Sequence, residues 1–174
     1  MFRSPKDDRN NRGRKINVIA NRLIAATVNP FDLKAAILAH HAQHPVIVHF
    51  PIALFISSAV FEILAVWRKQ PAFASVAYFN LLGAAISIPF TIATGLAAWQ
   101  WQLEGATLKG NLRIHLAFAI ATAAIILLLS WIRYRLRMNG QSPRTAYFAL
   151  MALGLVMITV TGHLGGILSG VEAP

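Results

Sequence analysis

The stretch HHAQHPVIVHFPIAL, residues 40–54, holds four of the chain's six histidines and runs directly into apolar sequence. A neutral imidazole is a cheap ionisable group to place in a membrane, and it is a standard ligand for haem iron and transition metals. His40 and His44 have the i, i+4 spacing that sets two imidazoles on one helical face, where they could share a copper or zinc ion. His49 lies further on, inside the apolar run, and the last two histidines, His115 and His163, also stand within apolar runs. The chain has no cysteine, which excludes disulfides, thiolate-bound iron–sulfur clusters and covalently attached c-type haem. Histidine, methionine and carboxylate remain as ligands. No Walker-type loop, nucleophile elbow, HExxH or carboxylate pair is present, so hydrolysis and group transfer have no visible basis and a redox subunit is the most that enzyme chemistry allows.

The elements that must position these side chains are membrane helices. Of the 174 residues 56% are hydrophobic and only 13% charged, too apolar for an ordinary soluble domain. Four runs, Pro45–Trp67, Phe73–Trp99, Leu112–Ile132 and Tyr147–Leu168, are long enough to span, because a bilayer core needs about 20 residues of helix. Lipid-facing backbone that is not helical would leave polar groups unpaired. Proline at 45 suits a first helical position, while Pro51 and Pro89 fall inside runs and are expected to kink helices one and two. Connections are short, so the expected fold is all-α: an integral membrane four-helix up-down bundle over residues 44–170.

An antiparallel bundle assigns a depth to each histidine. His49 lies about one turn into helix one, His115 about one turn into helix three, and His163 a little over one turn from the end of helix four. All three therefore share a level near one face, and two of them on facing helices could hold a b-type haem between helices. The plain alternative is that each imidazole bonds a neighbouring helix or an interfacial water. His44 reads as the cap at the membrane boundary. Near the spans, the opposite face carries Arg68, Lys69, Arg133, Arg135, Arg137 and Arg144, against Lys34, Lys109 and Arg113 at the histidine face. The positive-inside rule makes the richer face cytoplasmic and sets the histidines toward the periplasm of a bacterial inner membrane.

Helix four ends in TGHLGGILSG, where Gly162, Gly166 and Gly170 form a GxxxGxxxG row with Gly165 beside it. Such spacing lets another backbone approach closely, and it equally makes room for a flat macrocycle beside His163. Thr94 and Gly95, in ATGLAAW on helix two, fall at the same depth. Glu62 is the only acid inside a span; it lies about 20 Å beyond His49 and points roughly 140° away from it. Its expected partner is Arg68, Lys69 or an arginine of 133–137. Trp67, Trp99, Trp101, Trp131 and Tyr134 stand at helix ends as interfacial anchors.

Ahead of the bundle, residues 1–15 are polar, charged and aperiodic, and are expected to be disordered. Residues 16–43 read as two amphipathic surface helices: Ile16, Ile19, Ala20, Leu23 and Ile24 line one stripe, and Asn29-Pro30 restarts the pattern. Residues 1–34 hold eight of the sixteen Lys and Arg in a chain of net charge +10. For a membrane protein, anionic lipid headgroups are the expected partner of that tail, and nucleic acid is not.

HPVIVHFPIAL at 44–54, ATGLAAW at 93–99 and GHLGG at 162–166 together resemble the bacterial membrane family catalogued as domain of unknown function 2231, over roughly residues 44–168. The resemblance implies a four-helix membrane domain. Some members are joined to cytochrome c-type or Rieske-type redox modules, which implies electron transfer within a membrane redox complex, with haem b as the expected cofactor. His44, His49, His115 and His163 carry the family's histidine-containing pattern. GLAAW lacks an acid expected near Ala98. That departure leaves open an accessory subunit of a larger membrane complex with no cofactor of its own, and a copper or zinc site is the third alternative.

Overall fold

The computed structural model describes residues 43–102, 105 and 107–168, and within them the chain forms four helices. We number them α1 (Gln43–Arg68), α2 (Pro71–Gln102), α3 (Gly110–Met138) and α4 (Thr145–Leu168). The basic tail, the expected surface helices, His40, His41 and Gly170 lie outside the described residues.

Each helix is long and apolar enough to cross a membrane. The helices overrun the apolar runs that announce them: α3 continues past Ile132 through Arg133, Tyr134 and Arg135 to Met138. Hydropathy marks where the bilayer ends, whereas a helix continues while its backbone bonds are made. Pro51 and Pro89 sit inside continuous helices.

Turns at the helix ends are tight. Lys69 takes a left-handed φ of 52° between α1 and α2. After α3, Gly140 donates to the Arg137 carbonyl at 3.2 Å and Gln141 donates to the Leu136 carbonyl at 2.8 Å. These two bonds make a Schellman cap, which needs the left-handed φ of 62° that Gly140 supplies.

Packing runs in sequence order, α1 on α2, α2 on α3 and α3 on α4, and α1 meets α4 only sparsely. The molecule is therefore two helical hairpins joined along α2 and α3. Phe55, Ala59, Leu81, Ala84, Ile88, Ile126, Leu129, Met151 and Ile158 form the core. Val60, Ile63, Phe79, Ile86, Phe90, Ile120 and Val156 point outward, as a lipid-facing surface should. Since lipid is as apolar as leucine, association of these helices rests on close packing and internal polar bonds rather than on escape from water. Both are present. A Cβ on Gly154 would stand 2.8 Å from Phe55 Cζ and 3.0 Å from Ile125 Cγ2, so the bare backbone of α4 admits the phenyl ring of α1. Ser58 donates to the Ala77 carbonyl at 2.9 Å across α1 and α2, and Ser130 reaches the Leu81 carbonyl at 3.3 Å across α2 and α3.

Candidate functional site

Two half-buried imidazoles occupy the end of the bundle where α1 and α3 begin and α2 and α4 finish. His44 stands in the first turn of α1. Because α1 already begins at Gln43, the side chain reaches α2 instead of capping its own helix. Its Nδ1 lies 3.1 Å from Thr94 Oγ1. The threonine hydroxyl has one proton, and carbonyl oxygens of Phe90 and Thr91 lie 3.0 and 3.1 Å from it. Those carbonyls can only accept, so the proton goes to one of them and Thr94 accepts from His44. Nδ1 of His44 therefore carries the hydrogen and Nε2 carries the lone pair.

His115 repeats the arrangement in the second hairpin. Its Nδ1 lies 3.1 Å from the Thr161 carbonyl, an acceptor by nature, so the hydrogen is again on Nδ1 and the lone pair on Nε2. Thr161 is held in turn: its hydroxyl bonds the Met157 carbonyl at 2.8 Å and meets Thr122 Oγ1 at 3.2 Å.

Glycines give both rings their space. A Cβ on Gly95 would lie 3.1 Å from Cε1 of His44, and one on Gly165 would lie 3.4 Å from Cε1 of His115. Nothing approaches the corresponding point on Gly162 within 4 Å.

The three histidines expected to share a level are thus divided by facing. His115 points inward. His49 is exposed, and its Nδ1 bonds the Pro45 carbonyl one turn back on its own helix. His163 is exposed on α4 and makes an interaction of its own. His44, read from the sequence as a cap, takes the inward position that His49 was expected to hold. The reason is angular: His49 lies five residues beyond His44, about 140° around the helix, so one can face α2 only if the other turns away. Gly166 also makes a contact within the structure. Sequence reasoning missed Thr161 altogether. The available signal was the dipeptide Thr94-Gly95 recurring as Thr161-Gly162 near the ends of α2 and α4.

As ligands the pair is well prepared. Metal-binding histidines nearly always donate the second ring N–H to a fixed acceptor, which sets the tautomer and the ring plane. Both rings meet that condition, with Nε2 as the donor atom left over. Among the described residues no three His, Asp or Glu converge as a metal cluster, and His44 and His115 are the two candidate ligands those residues place here. Two neutral imidazoles are a donor set suited to haem iron, and the glycines at this level supply positions without side chains.

At the other end of α1 a second polar cluster is buried. Glu62 pairs with Arg133 of α3, whose Nη2 lies 3.4 Å from Oε2 and whose Nε contacts Oε1. Arg133 also reaches the Ala74 carbonyl of α2 at 3.5 Å, so α1, α2 and α3 all contribute. The acid expected to find an arginine of 133–137 finds the first of them.

Compared with known proteins, residues 40–172 match the model of a family described as predicted membrane protein (DUF2231). No curated protein and no solved structure matches.

Proposed function

Because the chain belongs to the predicted membrane protein family DUF2231 and has four helices long and apolar enough to cross a membrane, we propose that it is a membrane electron-transfer subunit in which His44 and His115 hold a b-type haem. The observation that carries this reading is a matched pair of contacts: Thr94 Oγ1 and the Thr161 carbonyl oxygen each lie 3.1 Å from an imidazole Nδ1, and with both oxygens accepting, the two Nε2 lone pairs are left for a metal. When bound, the haem iron would supply one-electron redox chemistry. The chain's own residues would hold it: Thr94 and Thr161 orient the rings, Gly95 and Gly165 make room for those rings, and only Gly162 has open space at its missing Cβ. By the positive-inside rule the end bearing Arg135, Arg137 and Arg144 is cytoplasmic and the imidazoles lie toward the outer side, the periplasm of a bacterial inner membrane. A one-electron carrier of this size needs a donor and an acceptor, so its partners are other redox subunits or a cytochrome.

An absorbance spectrum of detergent-purified protein tests the reading. A Soret band is expected, lost in His44→Ala and in His115→Ala and kept in His49→Ala and His163→Ala. A folded, colourless wild-type protein would overturn it. The same two Nε2 atoms suit a second reading, a copper or zinc ion on the pair, which metal analysis of the colourless protein would reveal. The variant of that reading built on His40 with His44 involves a residue outside the described ones.

A further inference from the structure

The end of the bundle remote from the histidines carries cations without matching acids. Glu62 is the only carboxylate among the described residues, and Arg133 takes it. Arg135 and Arg137 therefore have no carboxylate partner among those residues. They lie against aromatic rings instead. The guanidinium carbon of Arg135 is 5.7 Å from the Trp131 ring centre, and that of Arg137 is 5.0 Å from Tyr78 and 5.9 Å from Phe79. Arg137 also bonds Ser75 Oγ at 3.5 Å.

Trp131 and Tyr78 do a second thing. With Leu82, Ser130 and Tyr134 they wall a groove of about 240 Å³ between α2 and α3. Leu82, Trp131 and Tyr134 are exposed, so the groove opens to the outer face of the bundle. The Ser130 hydroxyl is engaged by protein carbonyls, that of Ile126 at 2.8 Å and that of Leu81 at 3.3 Å, and the walls therefore offer mainly carbon and rings. An apolar groove on the lipid side, capped by two arginines lacking a carboxylate, has the chemistry of an anionic phospholipid site: phosphate at Arg135 and Arg137, one acyl chain along Leu82 and Trp131.

We propose that the α2–α3 groove binds an anionic phospholipid, with Arg135 and Arg137 as the headgroup residues. Basic residues beside a membrane attract anionic lipid generally; here the rings that orient the two cations also form the wall of the groove, which makes the site local.

The test uses the full chain in nanodiscs of equal phosphatidylglycerol and phosphatidylcholine, released for native mass spectrometry. Wild type is expected to retain phosphatidylglycerol in preference to phosphatidylcholine. Arg135→Gln with Arg137→Gln should weaken retention roughly thirtyfold, while Arg68→Gln with Arg144→Gln, the same charge change at the same end, should leave it intact. Leu82→Trp keeps every charge but fills the groove, and retention should fall there too. Equal loss in both double variants would mean diffuse surface attraction and would overturn the proposal. So would retention unaffected by Leu82→Trp, or capture of a neutral lipid in place of the anionic one.

Discussion

At the scale of single residues, the side chain that decides the site is a threonine. Thr94 has spent its own proton on its helix, and this turns an ambivalent hydroxyl into a pure acceptor for His44. Thr94→Val keeps the shape and removes the acceptor. In nitrogen-15 spectra of histidine-labelled protein at about pH 8, where free imidazole is neutral, His44 and His115 are both expected as the Nδ1–H tautomer. Thr94→Val should release His44 alone and leave His115 unchanged. An unaltered His44 signal would show that the threonine does not set the tautomer. If haem is bound, the same substitution should weaken its affinity about 10- to 100-fold, the usual cost of losing a partner to a ligating histidine, measured by titrating haem into apoprotein. The sequence made His115 legible as a candidate because an imidazole within an apolar span is conspicuous. It offered His44 as a helix cap, as a partner of His40 and in the family's histidine pattern, but not as the inward-facing ring, because depth can be counted along a chain while facing depends on which neighbour a helix meets. His44 and His49 are close in depth and opposite in facing.

Helices, at the next scale up, are held by a few specific contacts in a medium that gives them little reason to associate. The Glu62–Arg133 pair is the most exacting of these. Removing one member leaves the other buried and uncompensated, so Glu62→Leu should destabilise the bundle by about 3–5 kcal/mol. Glu62→Leu combined with Arg133→Met should recover most of that loss, because replacing a buried pair by apolar groups is often neutral. Thermal unfolding in detergent, followed by circular dichroism, measures both; a double variant no better than the single would mean that the Ala74 contact, rather than the charges, makes the cluster. Four spans, their order and an arginine partner for Glu62 were all readable from hydropathy and charge. The choice of Arg133 over Arg135 or Arg137 was not, since it turns on the rotation of α3: Arg133 is buried and its two successors are exposed. Gly154 was equally silent. A single glycine in an apolar run carries no mark, and only the Phe55 ring beside it gives the missing Cβ a meaning.

For the whole molecule, the unequal packing order matters most. With α1 and α4 meeting sparsely, the first hairpin holds His44 on its own Thr94 and Gly95, and the second holds His115 on its own Thr161 and Gly165. Each half thus completes the seating of one imidazole without help from the other, and neither half has two. The two hairpins are joined through the connection from α2 to α3. If the chain is cut there and the two pieces are made separately in one membrane, they should find each other, co-purify and recover the Soret band, whereas either piece alone should stay colourless. Recovery absent from co-purified pieces would mean that the connection itself shapes the site. If haem is bound, the chain is in this sense a heterodimer of two prefabricated half-sites, and its colour would be a direct report that the halves have met.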